Sequence, residues 1–227
     1  MHIPDGFLSP EVAATTAVAA TAAVGYGLKT ASEKLDDRRV PLLGVTGAFI
    51  FAAQMLNFPV AGGTSGHFLG AALAAILLGP WLACLTMAVV LGLQAFVFAD
   101  GGITALGANV LNMGVIGALL VGALMLATRR ALPKSRTMLL AISGVGAWFA
   151  VMAGAAATAL ELASSGTVPL GTVLPAMLGV HALIGTGEAV ITVAAVGAVL
   201  AARPDLIAVR DLTDAERKLP APALEGA

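Results

Sequence analysis

The placement of lysine and arginine constrains this chain more than any other feature. All 12 fall in three groups. These are Lys29, Lys34, Arg38 and Arg39; then Arg129, Arg130, Lys134 and Arg136; then Arg203, Arg210, Arg217 and Lys218. Two long apolar stretches without a basic residue, 40–128 and 137–202, lie between them. That pattern belongs in a bilayer, where short cationic loops stay on the cytoplasmic side. Composition agrees, since 59% of residues are hydrophobic and 11% charged, against about 25% charge in a soluble domain. Few aromatics and 27 glycines suit the close helix packing found in lipid. Nothing basic or aromatic enough to hold nucleic acid is present.

Parity gives the number of spans. Each basic-free stretch must leave the cytoplasm and return, so it holds an even number. At about 20 residues per span, residues 40–128 hold four, residues 137–202 hold two, and one precedes Lys29. The expected fold is an all-α integral membrane protein of about seven transmembrane helices, N-terminus outside and C-terminus cytoplasmic. The spans fall near 10–28, 41–57, 67–79, 80–99, 107–128, 137–162 and 175–202. The third is short, and Gly79-Pro80 signals a tight cytoplasmic turn. The outer segments 58–66, 100–106 and 163–174 read as loops. Residues 1–202 form one membrane domain with an N-terminal loop over 1–9, and 203–227 a cytoplasmic tail. The run Ala13 to Ala23 offers small-residue cleavage sites, but Asp5 and Glu11 give the preceding region the wrong sign for a secretory signal. An uncleaved, outward start is expected.

That start, Met1-His2-Ile3-Pro4-Asp5-Gly6-Phe7, carries chemistry. The Met1 amine, the His2 amide and the His2 ring Nδ1 are three successive nitrogens that close five- and six-membered rings around one metal. Amide nitrogen binds only a metal that helps remove its proton, which favours nickel and copper in a square of nitrogens. A bulky second residue also keeps Met1 in place. His67, opening the third helix at its outer end, offers a fourth nitrogen. A polar helix-opening residue bonded to backbone is the plainer reading of His67, and composition alone leaves the two level. Gly63 and Gly66 allow close approach of the loop.

Other polar residues are rarer and less specific. His181 and Glu188 lie seven residues apart on one face of the last helix, where ionisable groups need partners or a cavity. A second ligand shell and a helix-locking hydrogen bond are both open for them. Gln54, Asn57, Asn109 and Asn112 lie near outer helix ends, within reach of the His67 ring or the N-terminal loop, or in ordinary helix contacts. Asp5, Glu11, Asp100 and Glu161 place negative charge on the outer face, a modest attraction for cations. Gly66, Gly70 and Ala74, and Ala13, Ala17 and Ala20, form small-residue ridges that read as packing seams. No phosphate-binding Gly-Lys-Ser/Thr loop occurs, so the chain reads as a non-enzyme that hydrolyses no ATP itself. The lone Cys84 excludes an internal disulfide.

Several segments together resemble a known family. They are Met1 to Leu8; Ala52-Ala53-Gln54-Met55-Leu56-Asn57-Phe58-Pro59-Val60; Gly63-Thr64-Ser65-Gly66-His67; Phe98-Ala99-Asp100-Gly101-Gly102; Gly107-Ala108-Asn109-Val110-Leu111-Asn112-Met113; and Gly179-Val180-His181-Ala182-Leu183-Ile184-Gly185 with Gly187-Glu188. The chain resembles the CbiM/NikM proteins, membrane substrate-capture components of energy-coupling-factor nickel/cobalt transporters. The resemblance implies Ni2+ or Co2+ as transported substrate, with no organic cofactor. It implies an ion held in a plane by the Met1 amine, the His2 amide, the His2 ring and the His67 ring, on an N-terminal loop inserted from outside. It implies a seven-helix body in the cell membrane and a holder that reorients when partners act. Those partners are a membrane coupling subunit, two cytoplasmic ATPases and a small companion membrane subunit, here expected as a separate chain. Pro4-Asp5 looks closer to nickel members, while a cobalt role linked to cobalamin synthesis stays open. A reading of another class is a non-transporting sensor or storage module, or a passive channel, which needs no ATPase.

Overall fold

The computed structural model describes residues 1–35, 39–56, 58–60, 64–128 and 135–208. Helix α1 spans Pro10–Lys34 and begins as its sequence dictates: the Ser9 hydroxyl accepts from the Val12 amide, Pro10 opens the first turn and Glu11 follows. Helix α2 is Arg39–Gln54. A small antiparallel hairpin follows, β1 (Phe58–Val60) on β2 (Thr64–Gly66). Then come α3 (Ala71–Leu78), α4 (Pro80–Phe98), α5 (Leu106–Thr128), α6 (Arg136–Ser164) and α7 (Leu170–Ala202). A π-helical stretch, Leu111–Ile116, interrupts α5. Helices α4 to α7 are each long and apolar enough to cross a membrane, and α2 is a shorter apolar helix. The molecule is thus an all-α, multi-pass integral membrane protein apart from the hairpin.

Helices α6 and α7 pack side by side in opposite directions. Trp148 Nε1 donates to the Ala182 carbonyl at 3.1 Å, Gly144 faces Ala189 and Val193, and Arg136 donates to the Gly197 carbonyl at 3.2 Å. Helix α1 lies on α4 and α5, where Gly107 presses directly on Ala17, one of the alanines of the expected ridge. Pro175 sits inside α7, which starts five residues before the expected boundary of 175.

Two sequence expectations need correction. Residues 58–66 are not simply loop, because the described parts pair as the β1–β2 hairpin. The third span, expected over 67–79, is helical only from Ala71 to Leu78. Eight residues rise about 12 Å, too little to cross a hydrocarbon core of about 30 Å. Every residue of α3 is buried, with α2, α4, α5, α6 and α7 packed around it. Gly79 ends α3 with φ +85° and Pro80 starts α4 at once, so the expected turn is present.

The missing part of that span is His67–Gly70, buried and non-helical. Such backbone survives at membrane depth only where protein satisfies its hydrogen bonds. Gly70 takes φ +83°, and a side chain there would lie 2.7 Å from Ile50. Only glycine fits that left-handed corner. Helix α3 is therefore set off by a break, and His67 sits on the far side of it.

Candidate metal centre

The N-terminal segment enters the bundle and is fastened along its length. Asn109 of α5 grips Ile3 on both sides: its Oδ1 accepts from the Ile3 amide at 2.8 Å and its Nδ2 donates to the Ile3 carbonyl at 3.1 Å. The Gly102 amide also donates to that carbonyl, at 2.8 Å. Any side chain on Gly102 would run into the Pro4 and Asp5 backbone. Asp5 Oδ1 accepts from the Thr104 amide at 2.7 Å and its hydroxyl at 2.6 Å, which holds the Asp5 carboxyl below the usual carboxylate range. The Thr167 hydroxyl donates to the Phe7 carbonyl. Met1 and Ile3 are buried, while Pro4, Asp5 and Gly6 stay at the surface.

This docking carries the Met1 amine to 3.4 Å from His67 Nε2. His67 is 2% exposed. Its Nδ1 donates to the Phe68 carbonyl at 2.8 Å, so the proton sits on Nδ1 and Nε2 keeps its lone pair. Loss of hydration pulls the Met1 amine down to about 5, with the Asp100 charge opposing. At neutral pH the amine is uncharged, and it faces the His67 Nε2 lone pair inside the protein. The His2 ring stands edge-on to the His67 ring, centroids 4.8 Å apart and planes at 84°.

The His2 ring nitrogen Nδ1 points away from this pair. It faces the Asp100 carbonyl at 3.0 Å and Asp100 Oδ1 at 3.1 Å. Both oxygens are acceptors, so Nδ1 carries a proton. That Nε2 is buried with no hydrogen-bond partner among the described residues. The His2 N–H is the first cause that keeps the Asp100 carboxyl below its ordinary range. The structure thus gathers the Met1 amine and both rings in one pocket but turns His2 Nδ1 to Asp100.

The remaining candidates are spread over several places. Asn109 holds the N-terminal segment, as above. Gln54 and Glu188 hold the broken backbone beside His67: Gln54 Nε2 donates to the Leu69 carbonyl at 2.6 Å, and the Glu188 carboxylate accepts from the Leu69 and Gly70 amides at 2.8 Å each. Asn112 lies in the π-helical stretch and donates to Glu161 at 2.6 Å and Thr158 at 3.2 Å, an α5–α6 contact. His181 Nδ1 donates to the Met177 carbonyl at 2.7 Å, and its Nε2 is buried without a partner among the described residues. Asn57 lies outside the described residues. The sequence offers Asp100 as an outer charge and Phe98 to Gly102 as part of the family resemblance, but not that Asp100-Gly101-Gly102 is the loop that receives the N-terminus. Sequence reasoning passed over Thr104 and Gln94 altogether. Among the described residues, no group of three or more His, Cys, Asp or Glu side chains is placed to hold a metal.

Residues 2–206 match the family CbiM, described as the cobalt uptake substrate-specific transmembrane region. The chain belongs to the CbiM family. Relatives agree across its length. A putative metal transport protein of Haloquadratum walsbyi is 43% identical over 209 residues, covering 91% of this chain and 93% of that one. A putative fused nickel transport protein NikMN of Archaeoglobus fulgidus is 42% identical, covering 91% of this chain and 68% of its own. A putative cobalt transport protein CbiM, also of Haloquadratum walsbyi, is 44% identical over 52% of this chain and 54% of its own. The crystal structure of a transition metal transporter superposes with TM-score 0.81 at 31% identity, covering 97% of this CbiM chain and all of that one. A truncated transition metal transporter gives 0.80 at 34% identity, over 88% and 98%.

Proposed function

We propose that this CbiM protein captures Ni2+ or Co2+ at the membrane as the substrate-binding component of an energy-coupling-factor importer, nickel favoured. The observation that carries the reading is the buried Met1 amine facing His67 Nε2 at 3.4 Å. In a square of nitrogens about 2.0 Å from the metal, neighbours lie about 2.8 Å apart. His67 completes the square opposite the His2 amide and therefore beside the amine, so the pair closes by about half an ångström on loading. The His2 ring turns until Nδ1 leaves Asp100, and the proton moves to Nε2. Ion and amide proton exchange places, which restricts the site to metals able to acidify an amide.

Residues 1–202 serve as the ion-holding membrane domain, with 203–227 facing the cytoplasm. Gln54, Asn109, Asn112, His181 and Glu188 belong to its supporting shell. Names of relatives point to both metals, nickel for the fused proteins and cobalt for others. ATP hydrolysis belongs to two cytoplasmic ATPases acting through a membrane coupling subunit, with a small companion membrane subunit.

The test is purified protein with its native start, titrated with Ni2+ and Co2+ in competition, then sealed in liposomes with and without the partner subunits. Tight binding by the chain alone, with uptake only in the presence of ATP and partners, is the expected result. Uptake without partners marks a passive channel, and binding with no uptake in the full assembly marks a storage or sensing module. Either outcome contradicts the proposal.

A further inference from the structure

We propose that Glu188 is a positioning residue of the ion site: by accepting the Leu69 and Gly70 amides, its carboxylate sets where His67 presents Nε2. The inference rests on the reading of His67 as a ligand and goes beyond it.

Buried, broken backbone is the starting point. The stretch His67–Gly70 has no helix or sheet partner of its own, and α3 begins only after the left-handed corner at Gly70. Two free amides at the head of α3 bear partial positive charge. Glu188, 2% exposed and on α7, reaches across 118 residues of sequence and gives one oxygen to each, Oε2 to Leu69 and Oε1 to Gly70. A carboxylate is an acceptor only, so it matches two donors without conflict. No cation pairs with it among the described residues.

The other side of the same peptide is held as firmly. Gln54 Nε2 donates to the Leu69 carbonyl at 2.6 Å, and Gln94 Nε2 donates to Gln54 Oε1 at 2.8 Å. Leu69 is thus gripped from α7 on one side and from α2 and α4 on the other. One residue earlier, the Phe68 carbonyl accepts from His67 Nδ1 at 2.8 Å. Glu188 to Leu69, Leu69 to Phe68 and Phe68 to His67 form a continuous support, ending at the lone pair that faces Met1. Ligand orientation by a partner one step removed is worth about 10–100-fold in metal affinity.

Glu188→Gln keeps size and one acceptor but puts N–H against N–H at the other amide. In native-start protein titrated with Ni2+, this variant is expected to bind about 10–100-fold more weakly. The visible band of the bound nickel should shift, while ion-free thermal unfolding should change far less. Wild-type affinity together with a wild-type band overturns the inference, and so does a lower unfolding temperature with both unchanged. His67→Ala run beside it separates the two ideas. If that variant still binds as wild type, the ligand reading fails; if it loses the ion while Glu188→Gln does not, only the positioning role falls. Should Glu188→Gln not fold, Glu188→Asp and Gln54→Leu are read the same way. Weakened binding in either, with ion-free unfolding little changed, supports the role, and wild-type binding in both overturns it.

Discussion

The proton count of ion loading is the most searching consequence of burying the N-terminus. An α-amine in water has a pKa of about 8 and is about nine-tenths protonated at pH 7. Burial lowers that of Met1 to about 5, so in the docked protein nearly every amine is already neutral at pH 7. The three-unit difference corresponds to about 4 kcal/mol, at about 1.36 kcal/mol per unit. The sign follows from a base whose pKa is depressed. Docking strengthens as pH rises from 5 to 8, because the undocked amine holds its proton over that range and the docked one does not. On the proposed chelate, with a neutral His2 ring, the ion then displaces only the His2 amide proton, since His67 Nε2 is already unprotonated. Calorimetric titration of nickel at pH 7, in buffers of differing ionisation heat, should give about one proton released per ion. An exposed amine would give about two. A count near two refutes the reasoning, as does nickel binding that persists well below pH 5.

Three further outcomes follow from particular contacts. Asn109→Leu leaves the Ile3 amide buried and unpaired, at a cost of about 1–3 kcal/mol, so competitive nickel titration should show binding roughly 5- to 150-fold weaker. Gly70→Ala forces a left-handed alanine against Ile50, a strain of about 1–3 kcal/mol before any clash; thermal unfolding should fall and nickel binding with it. Cys84→Ser, on a buried part of α4, should leave nickel affinity unchanged in the same titration.

How much of this was legible in the sequence depends on the range of the interaction. The basic clusters exposed the membrane class because solvation of charge is a property of each residue alone. The Gly79-Pro80 turn was readable because its cause is local. Met1 and His2 stood out because chain-start chemistry depends on two adjacent residues. The break at Gly70 was not readable. Ala71 to Leu78 continues an apolar run that includes Phe68 and Leu69, and nothing within it says that Glu188 and Gln54 will satisfy the preceding backbone instead of a helix. The receiving loop was missed for the same reason: Asp100, Gly102 and Thr104 matter only because Ile3 and Asp5 arrive beside them, about a hundred residues away in sequence.

The central claim is that the chain start is itself a ligand. Its most direct measurement compares nickel binding by protein beginning at Met1 with the same protein acetylated or extended at that amine, His67→Ala serving as a second control. The account expects about one ion per native chain and none held tightly by either altered form. Nickel bound equally well by protein whose amine is blocked would contradict it.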